Sequence, residues 1–185
     1  MLRIIFLGIF LVSSYSYGSS FEDVIKKARS NNDDAQLQVA KDYFYGHGVK
    51  KNYKKALFWF EILAKKSNAD AEYYLGKMYD DGLGVRSSAS KALYWYTISS
   101  NQNNAYAEES LGDLYLSGMG VPNNQLTAYT WFRLSLINGF KNQSLLNKIH
   151  LLENELPANS IAYVNQKLKH LNRYNEKHNY DFIFA

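Results

Sequence analysis

The sequence predicts an all-α protein, a solenoid of stacked helical hairpins, on three observations. The stretch Asp70–Asn104, with Ala69 ahead of it, occurs three times. Ala71 matches Ala35 and Ala107 at an offset of 36 residues in each direction, with no insertion. Gly82, Gly84 and Val85 match Gly46, Gly48 and Val49 upstream and Gly118, Gly120 and Val121 downstream. All three tryptophans, Trp59, Trp95 and Trp131, fall at one repeat position. A period of this length marks an array in which each unit buries its apolar face on the next, not a single closed core.

The first element reads as an address. In residues 1–18, Arg3 supplies a positive start, Ile4 to Val12 form an apolar run, and Ser13 to Gly18 are mostly small, the pattern of a secretory signal cut after Gly18. A run of that length rises far less than the ~30 Å of a bilayer core, so no stable membrane span is expected once the leader is gone. With no Cys near the cut, a lipid anchor is not expected either. The mature chain is expected in a bacterial periplasm or in the medium, with net charge reduced from +4 to +3 by loss of one Arg. The absence of Cys from all 185 residues excludes disulfides, Cys-based zinc sites and thiol nucleophiles.

The second element, residues 19–34, is half a repeat. Ser20 is placed to cap a helix from Phe21, and Phe21, Val24, Ile25 and Ala28 follow helical spacing. Ala28 aligns with Ala64, so this helix corresponds to the second half of a unit and would cover the open end of the stack. Three full units follow, 35–70, 71–106 and 107–140, each read as helix, glycine loop, helix. Asn32, Asn68 and Asn104 stand at the N-caps of the first helices, and Asn52, Ser88 and Asn124 at those of the second. The buried stripe of the first helix is Ala35, Val39, Ala40 and Tyr43, repeated as Ala71, Leu75, Gly76, Tyr79 and Ala107, Leu111, Gly112, Tyr115. Two small residues in each stripe allow the paired helix to approach closely. Gly46, Gly82 and Gly118 end the first helices, where a left-handed residue is usually required.

This pattern, A-x-x-x-LG-x-x-Y-x-x-G-x-GV followed by A-x-x-W, resembles the Sel1-like repeat, a relative of the tetratricopeptide repeat. Ala71, Leu75, Gly76, Tyr79, Gly82, Gly84, Val85, Ala92 and Trp95 carry it with their two sets of equivalents, over residues 21–140. The resemblance implies a right-handed α–α superhelix whose first helices line the concave side. It also implies a Gly before each next unit, where this chain has Asn31, Ser67 and Asn103 and keeps Gly only at Gly139. Some members of the family are disulfide-linked, and what is claimed for them, including penicillin binding, transfers poorly to a chain without Cys.

Residues 141–172 are expected to form two closing helices. Leu145, Leu146, Ile149 and Leu152 have helical spacing in the first; Pro157 opens the second, through Ile161, Val164, Leu168 and Leu171. The order of elements resembles the terminal unit of bacterial Sel1-like proteins. The tail 173–185 is polar until Phe182, Ile183 and Phe184.

No catalytic constellation emerges. His47 lies between two glycines where the other units have Leu83 and Met119, and His150, His170 and His178 lack metal-ligand spacing. Asp80 and Asp81 place two carboxylates near a helix C-terminus, an unfavourable location for negative charge. Neither a metal nor another cofactor is expected, and Lys50, Lys51, Lys54 and Lys55 are too sparse for a nucleic-acid footprint and read as a solvated loop and helix start. Enzyme activity has nothing arguing for it. A protein or peptide partner on the concave face is the leading expectation, from the positions left over by packing. These are Gln38, Lys41 and Tyr45, then Tyr74, Lys77 and Asp81, then Ser110, Asp113 and Ser117, running from basic and aromatic to acidic. An envelope enzyme or binder acting on peptidoglycan or a lactam is the alternative, and self-association into a homo-oligomer through the terminal helices is a third reading.

Overall fold

The computed structural model describes residues 20–175, with side chains as far as residue 170. The expected leader at 1–18, the Leu171 side chain, His178 and the residues Phe182–Phe184 fall outside these limits. The described residues form nine α-helices and no strand. They are α1 (Phe21–Arg29), α2 (Asp33–Tyr45), α3 (Tyr53–Ala64), α4 (Ala69–Asp81), α5 (Ala89–Ser100), α6 (Ala105–Ser117), α7 (Gln125–Ile137), α8 (Gln143–Glu155) and α9 (Ala158–Asn175). Each helix packs on its neighbour in sequence from α1 to α8, α7 also meets α9, and α4 touches α6, which is the contact order of an all-α solenoid.

The helix starts follow from side-chain chemistry. The amide oxygens of Asn32, Asn68 and Asn104 accept the backbone N–H groups of Ala35, Ala71 and Ala107 at 2.8, 2.9 and 3.1 Å. Asn52, Ser88, Asn124 and Asn142 do the same for α3, α5, α7 and α8. Each cap satisfies a donor that the helix itself leaves orphaned. At α1, Ser20 and Asp23 complete a reciprocal capping box.

The corners between units are left-handed at all three non-glycine positions: φ is 64° at Asn31, 57° at Ser67 and 61° at Asn103. Asn pays little for this geometry, whereas Ser67 holds it against the ordinary Cβ penalty. Inside the hairpins the small residues set the approach distance. A Cβ built on Gly76 would lie 2.4 Å from the Tyr96 ring, and one on Gly112 would lie 2.4 Å from the Phe132 ring. Both rings are buried. The glycine therefore makes the space that an aromatic side chain of the second helix fills. The core forms two adjoining clusters, α1–α4 and the rest of the stack, with Tyr73 packed against both.

Candidate partner-binding face

Five aromatic rings from three hairpins form a connected line on the first-helix side. It begins at Tyr45, at the end of α2, whose ring is 6.2 Å from Tyr74 of α4 in an edge-on contact. Tyr74 is 5.2 Å from Tyr73, which is 5.6 Å from Tyr106 of α6, which is 4.7 Å from Phe140 beyond α7. Edge-on arrangements with ring centroids this close are ones that aromatic pairs prefer, and each pair adds to the burial of its rings. Tyr45 and Tyr106 remain about half exposed, at 46 % and 51 %. Beside Tyr106 and Phe140 lies a cleft of about 270 Å³, bordered by Asp70, Asn103, Asn104 and Asn138.

Charges on this side are paired internally. Lys41 Nζ lies 3.0 Å from Asp70 Oδ2 and over the Tyr74 ring. Lys77 pairs with Asp81 at 3.0 Å. Lys148, on α8, reaches back to Glu109 and Asp113, each at 2.7 Å. Burial alone would pull the Lys148 pKa down, and the bonds from Asp113 and Glu109 outweigh it, so the net shift is upward. Burial raises the Asp113 pKa, against the lowering effect of Lys148. Asp113, at the expected acidic end of the groove, is thus paired by a helix that lacks the repeat signature.

Of the nine residues expected to line the groove, Gln38, Tyr45, Asp81 and Ser117 are exposed, and Lys41, Lys77, Ser110 and Asp113 are half-buried. Tyr74 departs from that expectation. Its ring is buried and stacks on Phe60 at 4.7 Å, so it forms the floor, and its hydroxyl meets that of Tyr45 at 3.1 Å. Gln38 donates to Asp42, while Ser110 and Ser117 donate to backbone carbonyls of their own helix, which occupies part of their bonding capacity. Tyr73, Tyr106 and Phe140 were not among the expected residues, yet they make most of the line. Their repeat equivalents are not aromatic, so no repeat pattern pointed to them.

His47 is exposed and stacks on Tyr45 at 5.4 Å. Asp80 is raised by burial and by the neighbouring Asp81, and Tyr96 donates its hydroxyl to it at 3.3 Å. Asp81 is held by Lys77. Among the described residues no group of three or more His, Asp or Glu is placed to hold a metal ion. No described helix is long and apolar enough to cross a membrane.

A polar column is buried behind this side. Gln36, Glu72 and Glu108 occupy one repeat position, and the side chains thirty residues on, Lys66, Gln102 and Asn138, donate to them. Glu108 is 2 % exposed, and its Oε2 has no hydrogen-bond partner among the described residues. Burial pushes its carboxyl up to about 8, against the lowering effect of the Asn138 bond.

The described helices, a capping helix followed by stacked hairpins with a line of rings along one side, define a helical-repeat solenoid. The Sel1 repeat family model matches residues 33–68, 69–104 and 105–140, more than half of the chain, and the chain belongs to that family. Comparison with curated proteins gives no match. Among solved structures, a Sel1 repeat protein from Oxalobacter formigenes superposes with a TM-score of 0.60 at 27 % identity, over 65 % of this chain and 49 % of that one. A protective antigen of uropathogenic Escherichia coli strains, with an SLR fold, superposes with a TM-score of 0.71 at 22 % identity. That match covers 89 % of this chain and 37 % of the other. The chain therefore spans half or less of these relatives' lengths.

Proposed function

We propose that this chain is an exported, non-enzymatic scaffold that holds a protein or peptide partner on the concave face formed by α2, α4 and α6. Sel1-like repeats are general protein–protein interaction modules, and one observation carries the finer reading. The ring line from Tyr45 to Phe140 crosses all three hairpins, while the charges around it are already paired. A face of that kind offers ring surface, hydroxyls and amides and little free charge. It suits an extended segment of low net charge, with apolar side chains against Tyr45 and Tyr106 and backbone groups toward Asn103, Asn104 and Asn138. The mechanism is preorganisation: the rings are held by their neighbours before a partner arrives, so binding costs little side-chain ordering. Export rests on the leader pattern of residues 1–18.

The test is a photo-crosslinking residue at Tyr106, with a matched control at the exposed Glu61 on α3. A discrete protein adduct at Tyr106 and none at Glu61, in the envelope fraction or medium, is the expected result. Adducts with glycan alone, or equal adducts at both positions, would overturn the assignment.

A further inference from the structure

The opposite side of the first hairpin carries a second recessed surface with different chemistry. A groove of about 780 Å³ lies between α1 and α3, a volume within the range of ligand-sized clefts. Its apolar wall is made by Ile25 of α1 and by Phe58, Trp59 and Ile62 of α3. Phe58 is 57 % exposed and edge-on to Trp59 at 5.5 Å, so a large ring faces water where the fold gives it no cover. Exposed rings in a recess mark contact sites more often than scattered surface apolars do.

The rim is cationic. Arg29, Lys54 and Lys55 border the groove, and its lining contains no Asp or Glu. None of the three enters an ion pair among the described residues. Lys55 rests over the Tyr43 ring at 5.0 Å, which fixes its ammonium at the edge of the groove. On the first-helix side, by contrast, Lys41, Lys77 and Lys148 are all engaged by carboxylates.

The character belongs to this groove and not to the repeat. One unit along, the positions of Ile25, Arg29 and Lys54 are Glu61, Lys65 and Ser90. An acid there replaces apolar wall, and one rim cation is lost. Ile25 of the capping helix α1 and Lys54 of α3 together give the first hairpin its apolar and basic version.

We propose that the α1–α3 groove is a second docking site, for an acidic protein segment carrying an aromatic or aliphatic anchor. The anchor seats against Phe58 and Ile25, and flanking carboxylates meet Arg29, Lys54 and Lys55. Charge complementarity selects this occupant, because three unpaired cations around an apolar floor favour acidic segments and repel basic ones.

The probe is a fluorescein-labelled peptide in which glutamates flank a central Phe-Leu pair, titrated against the full chain by fluorescence anisotropy. The expected result is saturable binding that weakens several-fold as salt rises. Lys54→Glu with Lys55→Glu weakens it by about tenfold or more, and Phe58→Ala by about fivefold or more. All three side chains are exposed, and circular dichroism checks that the variants keep the native helix content. Tyr106→Ala, on the other side, leaves this binding unchanged. Equal binding of a matched peptide with Lys in place of Glu would overturn the proposal, as would indifference to the Lys54 and Lys55 changes. Binding to phosphatidylglycerol vesicles with none to the peptide would overturn it in favour of a lipid surface. Loss of peptide binding in Tyr106→Ala alone would move the peptide to the ring line, and leave the concave-face reading standing.

Discussion

Replacing Glu108 with Gln should stabilise the protein, increasingly so as pH rises. In the fold the carboxyl is raised from 4.5 to about 8, chiefly by burial. The folded chain therefore holds a proton on Glu108 across a window in which the unfolded chain has lost it. For a group raised in this way, the sign is fixed: stability is full below about pH 4.5 and declines until about pH 8. At about 1.4 kcal/mol per pH unit, the loss is about 3 kcal/mol at pH 7 and on the order of 5 kcal/mol above pH 8. With the side chain 2 % exposed, solvent screens little of this. Gln keeps an oxygen to accept from Asn138, as Glu108 Oε1 does at 2.7 Å. It leaves an unmatched donor near the present Oε2, much as the protonated acid does, so the two proteins should be nearly equally stable at pH 4.5. The assay is thermal and urea denaturation of both at pH 4.5, 7 and 9. Glu108→Gln should gain on the order of 10 °C in Tm over the wild type at pH 9. Parallel stability curves for the two proteins from pH 4.5 to 9 would refute the reasoning.

Four further outcomes test the packing. Gly112→Val should cost about 3 kcal/mol or more in urea denaturation, because its side chain must enter the space of the buried Phe132 ring. Asn68→Ala should cost about 1 kcal/mol by the same measurement, by removing the 2.9 Å cap on Ala71 N–H. Ser67→Gly should stabilise by about 0.5–1 kcal/mol, since φ of 57° carries a Cβ penalty that Gly lacks. Lys148→Met should lower Tm and return negative charge to the first-helix face; tighter binding of a cationic peptide than in the wild type, at low salt, is the readout.

What was legible in the sequence was whatever the packing demands of every unit. Ala71, Gly76 and Gly112 recur because helix pairs must approach closely, so the hairpins and their caps could be read from spacing alone. Partner-facing residues obey no such demand. Tyr73 and Tyr106 stand where other units have Leu37 and Glu109, or Asp34 and Asp70, so they lie off any one regular stripe of the repeat. By its spacing Tyr74 reads as surface, because nothing local shows that Phe60 lies beneath its ring. The pairing of Asp113 depends on Lys148 in α8, whose packing no repeat constrains. The buried acids had a faint signal. Glu72 and Glu108 are each followed thirty residues later by an amide, Gln102 and Asn138, which pairs with them across the hairpin. An acidic residue in an amphipathic helix ordinarily reads as solvent-facing, and burial overrode that rule here.

In the proposed function a partner lies along the first helices, on a face whose rings are set in advance. Hydrogen–deuterium exchange on the protein with and without the partner captured through Tyr106 tests this most directly. The expected result is new protection confined to α4, α6 and the ends of α2 and α7 nearest Tyr45 and Phe140, with α3 and α5 unchanged. Protection of α3 and α5, with α4 and α6 unaltered, would contradict it.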